Sequence, residues 1–423
     1  MNSFTFINGS VTAPLGFTAN GVCAGIKAAT NAAQAVQANE PLLPVSGKRD
    51  LAIIYCERPC TAAALFTKNR VKSDTIYVTQ AHLANGTAQA VIVNSGNANA
   101  CNPDGMEKAQ AMGKLAADAL GIAEDDVIVA STGVIGQALP LEPVAKGVAA
   151  LKDILSKDGG TNAAEAIMTT DTVKKEWAVQ LPLGGKTVTI GGIAKGSGMI
   201  HINMGTTLSF VTTDAAISAA MLHEALLEAA AVSYNMVSVD GDTSTNDTLA
   251  IMASGLAGNP EITEKNEDYV TFTAALTAAF QAVAKKLAAD GEGATKLVIA
   301  KVTGAKDEKT AKVIAKSVIC SSLVKAAMFG ADANCGRILC AVGYSGAEVN
   351  VKKIDVAYQS AKGEILVCQN GCGLAFDEDK AKEILLENEI TILIQLGDGN
   401  GEAEAYGCDL TYDYVKINGD YRT

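Results

Sequence analysis

Short apolar runs alternate with alanine-rich stretches of helical period along almost the whole chain, and this alternation restricts the open folds more than any other feature. A run of four to seven apolar residues is too short for a stable helix and reads as a strand. Such runs lie at 51–56, 90–93, 126–130, 177–183, 186–190, 208–211, 236–239, 249–253, 297–302, 364–368 and 390–396. Helical patterns occupy 105–120, 141–155, 215–230, 269–289, 307–327 and 380–387. Strands and helices that interleave in this way predict an α/β or α+β layered architecture. Gly184-Gly185, between two of the strands, has the form of a tight hairpin turn. Composition shifts from Thr/Ala-rich to Lys-rich near residue 305, which divides the chain into a larger part, 1–305, and a smaller one, 306–423.

With 423 residues, 48% of them hydrophobic, the chain can bury a large core, and two domains are expected. The formal net charge of -12 and an aromatic content of 5% supply neither the basic patch nor the stacking rings that nucleic-acid binding needs. No run approaches the roughly 20 apolar residues that span a bilayer. The start, MNSFTFINGSV, lacks the basic-then-apolar pattern of a signal peptide, so a cytoplasmic location without membrane association is expected. The ten cysteines are scattered without a CxxC pair, and the three histidines, His82, His201 and His223, sit far from the cysteine pairs in sequence; reduced thiols and no metal site are expected. His201 is the one histidine next to a plausible nucleophile, which leaves little material for a Ser-His-Asp machine.

The stretch KGSGMIHINMGTTLSF, 195–210, crowds small residues around the Gly205-Thr206 peptide bond and runs straight into a strand. Thr206 reads either as an ordinary strand-entry residue or as a nucleophile that attacks the carbonyl before it. Cleavage there would leave Thr206 with a free α-amine, whose ordinary pKa of about 7.7 to 8.0 lets it act as base for its own hydroxyl. STGVIG, 131–136, at a strand end, reads as a capped turn or as an oxyanion hole in which glycine lets an N–H approach an alkoxide. Three further polar loops, 94–105, 240–248 and 329–337, read as surface turns, and none has the spacing of a phosphate loop. Lys195 and Glu292, each beside glycine, read as solvated loop charges.

Together AKGSGMIHINMGTTL, IMTTDT, STGVIG, DGDTSTNDT, GEGATK, FGADANCGRI and the terminal INGDYRT resemble, as a set spread over essentially the whole chain, the self-cleaving ornithine acetyltransferases of arginine biosynthesis. The resemblance implies a layered fold of N-terminal-nucleophile type, with the smaller C-terminal domain closing the site. It also implies cleavage between Gly205 and Thr206, with Thr206 as nucleophile. Thr132 and Gly133 fall on its oxyanion-hole positions. Thr169, Lys195, Thr206, Glu292, Asn418 and Thr423 fall on its substrate-binding positions, with Thr170 as the neighbouring rival of Thr169. The chain departs from the family in having Gly205 where alanine is usual and Ile202 where proline is usual.

The implied reaction is ping-pong: Thr206 takes the acetyl group of N-acetylornithine, ornithine leaves, and glutamate accepts the acetyl group. No bound cofactor is implied, and acetyl-CoA stays open as a second donor, a co-substrate that would make the enzyme bifunctional. The mature form would be a heterotetramer of the two cleaved chains. Two alternatives stay open: a self-processed amidohydrolase or aminopeptidase passing the acyl group to water, and a non-catalytic amino-acid-binding protein in which Thr206 is only a strand residue.

Overall fold

The structure, a computed structural model, describes residues 4–38, 47–201 and 207–419. Along Leu51–Phe66, successive side chains enter different cores. Leu51 and Ile53 join Ile92, Val127 and Val129 beneath helices Gly105–Leu120 and Leu141–Lys152, while Ala52, Ile54 and Cys56 join Val91, Val93, Ile128 and Ala130 beside helix Gly160–Ala166. A strand covered on both faces has no polar side to show, which is why these runs are continuously apolar.

In chain order the strands are β1 (Thr5–Ile7), β2 (Phe17–Val22), β3 (Leu51–Phe66), β4 (Thr87–Asn94), β5 (Val127–Ser131), β6 (Lys175–Leu183), β7 (Lys186–Lys195), β8 (Ile200–His201), β9 (Leu208–Thr213), β10 (Ser238–Thr243) and β11 (Thr248–Ala253). They continue with β12 (Leu297–Ala305), β13 (Asp355–Ser360), β14 (Gly363–Gln369), β15 (Cys372–Gly373), β16 (Glu389–Gln395) and β17 (Gly401–Cys408). Among the described residues, nine strands form one sheet in the order β1-β6-β7-β9-β11-β3-β4-β5, with β2 also paired to β3. A second sheet has six strands in the order β15-β14-β13-β16-β12-β17, and β8 pairs with β10 apart from both. Helix Glu267–Ala289 packs on β6 and on β17, so it joins the two sheets through one continuous core. The architecture is a layered α/β fold, as the alternation predicts.

The Gly184-Gly185 turn closes the β6-β7 hairpin at the pair Leu183↔Lys186, with positive φ of 53° and 77°, which suits the twist of the strands it joins. The hairpin leads to the site. Antiparallel pairing sets Lys195 at the end of β7 opposite Leu208 at the start of β9, and parallel pairing sets Leu208 opposite Thr248 of β11. Three strand ends therefore lie side by side.

Several element bounds differ from the sequence expectations. The strands expected at 51–56 and 186–190 run on to Phe66 and Lys195, the helix expected over 141–155 ends at Lys152, and three other elements also shift. The helix expected over 307–327 is two helices, Glu308–Cys320 and Ser322–Phe329, because Ser321 adopts extended angles and its hydroxyl accepts from the Val324 N–H at 3.3 Å. The helix expected from 215 starts at Ala219, where the Ser218 hydroxyl caps it. The strand expected at 236–239 is displaced to Ser238–Thr243 and runs into the segment read as a loop.

Candidate active site

Asn94 ends β4 and organises the loop after that strand. Its fully buried side chain accepts from the N–H groups of Gly96 and Asn97 at 3.2 and 3.0 Å and donates to the Ser131 hydroxyl at 2.6 Å. Its backbone carbonyl accepts from the Thr132 N–H at 2.9 Å. Asn246, from the loop before β11, donates to the carbonyls of Ser131 and Ala98, each at 2.6 Å. Segments 94–99 and 245–247 are therefore buried parts of one interlocked wall and not the surface turns the sequence suggests. Buried backbone groups need partners, and these asparagines supply them. The third loop, 329–337, stays peripheral, with Asn334 capping helix Cys335–Gly343.

Gly133 sits on this wall with φ of 130°, and a Cβ there would lie 2.7 Å from both the Asn97 nitrogen and the Gly96 carbonyl carbon. Only glycine fits. Because the Thr132 N–H is committed to Asn94, the group that Thr132 can offer to a ligand is its hydroxyl.

On the facing wall Lys195 is 8% exposed, and its ammonium donates to the Thr169 hydroxyl at 2.7 Å, with an Asp171 oxygen at 3.9 Å. Burial pulls the Lys195 pKa down and Asp171 pulls it back up. Behind it lies a buried chain of charges. Lys175 donates to Asp171 at 2.8 Å and to Asp290 at 2.6 Å, and Asp171 also accepts from the N–H groups of Gly196 and Thr169 at 2.6 and 3.1 Å. Burial alone would raise the Asp171 carboxyl, but the ammoniums of Lys195 and Lys175 and these hydrogen bonds hold it below the usual range. Ser197 donates to the Asp290 carbonyl at 2.6 Å, and Glu292 N–H donates to the Ser197 carbonyl at 2.9 Å. The network thus ties the Lys195 segment to the Glu292 segment.

The Glu292 carboxylate accepts from Asn418 of helix Tyr412–Gly419 at 2.7 Å. It lies against Gly198, where a Cβ would come within 2.4 Å of it. Neither Lys195 nor Glu292 is the solvated loop charge expected from its glycine neighbours, since each is more than nine-tenths buried.

A cavity of about 330 Å³ collects Thr132, Gly133, Thr169, Thr170, Lys195, Glu292 and Asn418, together with Thr207, Asn246 and Asp247. Gly205, Thr206 and Thr423 lie outside the described residues. Thr170 shares the wall with Thr169, but Thr169 is the one that accepts from Lys195. His201 is turned elsewhere: its Nδ1 lies 3.1 Å from the Ser238 hydroxyl and 3.5 Å from the Cys320 sulfur, and burial, with Lys316 nearby, pulls its pKa down to about 4. Sequence reading missed Asp171, Lys175, Asp290, Asn246 and Asp247. A faint signal for the first two was the i, i+4 spacing of opposite charges just before an apolar strand. Among the described residues, no cluster of three or more His, Cys, Asp or Glu could hold a metal, and no helix is long and apolar enough to cross a membrane.

The chain matches the family described as ArgJ family over residues 33–423. The arginine biosynthesis bifunctional protein ArgJ of Caldanaerobacter subterraneus subsp. tengcongensis is 49% identical over 418 residues, covering 99% of each chain. Its namesake from Symbiobacterium thermophilum is 50% identical over 419 residues, 99% of this chain and 100% of that one. Among solved structures, the Bacillus halodurans arginine biosynthesis bifunctional protein argJ is similar at 46% identity, covering 50% of this chain and 98% of that one, with a TM-score of 0.48.

Proposed function

Since this chain belongs to the ArgJ family, we propose that it is an acetyltransferase of arginine biosynthesis that moves the acetyl group of N-acetylornithine to glutamate through an ester on Thr206. The observation that carries the mechanism is one small cavity with a glycine-built donor wall on one side and a buried lysine on the other, beside the strand that continues from Thr206. In this reading the Gly133 N–H and the Thr132 hydroxyl meet the oxyanion as the tetrahedral carbon forms. Lys195 binds the amino-acid carboxylate, and Glu292 with Asn418 receives the amino end of the substrate. At about 330 Å³ the cavity is at the small end of ligand pockets and suits a single acylated amino acid.

The chain cleaves itself between Gly205 and Thr206, and the freed α-amine of Thr206 serves as base for its own hydroxyl. The two pieces assemble as a heterotetramer in the cytoplasm, and segment 306–423, which brings Asn418 to Glu292, closes the site. No cofactor stays bound, and acetyl-CoA serves as a second acetyl donor. The test is acetyl transfer measured with and without glutamate, from N-acetylornithine and from acetyl-CoA. N-acetylglutamate should form from both donors. Acetate release unaffected by glutamate would make the protein a hydrolase and sink the reading.

Thr132→Ala should lower kcat by about 10² to 10³, the usual effect of deleting one oxyanion donor, with little change in KM. Thr132→Ser keeps the hydroxyl and should retain most of the rate. A change confined to KM would mean that Thr132 only holds substrate.

A further inference from the structure

Acetyl exchange between two amino acids poses a proton problem. The acceptor arrives as an ammonium and must shed a proton before it can attack the ester, and the donor's nitrogen must gain protons before it leaves as an ammonium. The Thr206 amine handles only the proton of its own hydroxyl. One more carrier is needed.

Among the described residues, the charged groups lining the cavity are Lys195, Glu292 and Asp247. Lys195 is held by Thr169 and Asp171, and Glu292 accepts from Asn418. His201 does not reach the cavity wall. Asp247 is 5% exposed and stands at the residue before β11, whose first residue pairs with Leu208 and whose Thr248 N–H donates to the Thr207 carbonyl at 3.2 Å. This register puts Asp247 alongside the beginning of the segment that follows Thr206. Its backbone is fixed: its carbonyl accepts from the Thr67 N–H at 3.0 Å, and the preceding Asn246 is clamped to two carbonyls. An ionisable residue on the cavity lining with its backbone held in this way meets the first requirement of a proton carrier, a fixed place beside the reacting groups.

We propose that Asp247 is the proton carrier of the acetyl exchange, shuttling one proton between the amines of the donor and acceptor amino acids. The proposal rests on the acetyl-Thr206 reading above. In the first half-reaction the protonated Asp247 carboxyl gives its proton to the departing amine. The amide C–N bond breaks, the Thr206 oxygen–acetyl bond forms, and the hydroxyl proton also goes to the nitrogen, so that ornithine leaves as an ammonium and Asp247 is left as a carboxylate. In the second, that carboxylate takes a proton from the glutamate ammonium. The free amine attacks the ester, its remaining surplus proton returns to the Thr206 oxygen, and Asp247 ends protonated as it began. Burial pushes the Asp247 carboxyl well above the usual range, against a hydrogen bond from Ser244 and the nearby Lys195, so the neutral form required by the first step is accessible.

The test compares Asp247→Asn with wild type on two donors. p-Nitrophenyl acetate expels a phenolate that needs no proton, whereas N-acetylornithine expels an amine that does. Asp247→Asn should still give a p-nitrophenol burst stoichiometric with enzyme, while its kcat with N-acetylornithine and glutamate falls by about 10² to 10⁴ and KM moves little. A rate with N-acetylornithine within about threefold of wild type would overturn the proposal. So would loss of the ester burst, because Asp247 would then be holding the wall in place. Thr206→Ala serves as the separate control: if that variant keeps the burst, the nucleophile reading fails, whatever Asp247 does.

Discussion

Thr206→Ala is expected to leave a single uncleaved chain of 423 residues with no measurable acetyl transfer. One hydroxyl is asked to do both jobs. On the proposed mechanism it would attack the Gly205 carbonyl in the precursor and carry the acetyl group in the mature protein, so its removal should stop each at its first bond-forming step. Thr206→Ser keeps an attacking oxygen and should retain part of both activities. Thr206→Cys should still cleave, because a thiol is the stronger nucleophile, and should pass the acetyl group through a thioester at an altered rate. Intact-mass measurement should show pieces 1–205 and 206–423 for wild type and the whole chain for the alanine variant. Acid quenching after mixing wild type with N-acetylornithine alone should trap an acetyl group on the peptide beginning TTLSF. An acetyl group found on any other peptide, or near-normal transfer by Thr206→Ala, would return Thr206 to the role of a strand-entry residue.

The layering was legible because it is written in side-chain periodicity. Leu51 to Cys56 read as a strand, and the two cores its faces enter are the physical reason for the continuous apolar run. Helix Gly105–Leu120 was legible to the residue, since Gly121, left-handed at φ of 70°, ends it. Candidate site residues were legible only through the set of motifs taken together, and the cavity gathers those that are described. Their supports were not legible. Asn94, Asn97 and Asn246 sit in polar, glycine-bearing segments that look like surface turns, and nothing local says that each loop is the other's interior. Asp171, Lys175 and Asp290 are separated by up to 119 positions in sequence but share hydrogen bonds, a relation that only the tertiary fold creates. Ser321 broke a helix whose apolar period continued through it, because a hydroxyl can satisfy a helix terminus wherever the chain turns.

Lys175→Met tests the supporting network and is expected to cost about 3 to 5 kcal/mol of stability at neutral pH. Lys175 has no exposed surface, and its ammonium lies between the Asp171 and Asp290 carboxylates at 2.8 and 2.6 Å. Methionine fills the same volume without the charge, so the loss comes from two carboxylates left buried together and not from a cavity. The pH dependence separates this cause from poor packing. In wild type the Asp171 pKa is depressed on folding, so its contribution is complete above the unfolded carboxylate pKa of about 3.9 and is lost as pH falls through the lower folded value. Without the Lys175 ammonium the Asp171 carboxyl rises, and acid then relieves the variant by neutralising the uncompensated charge. The stability gap between wild type and Lys175→Met, measured by urea unfolding, should therefore narrow as pH drops from about 7 toward about 4. Function should follow through position: the Gly196 and Thr169 N–H groups both hang on Asp171, so a shifted Asp171 misplaces Lys195 and should raise KM more than it lowers kcat. A gap that stays constant with pH would mean that the lysine contributes packing alone, and an unchanged KM would remove the network from the positioning of Lys195.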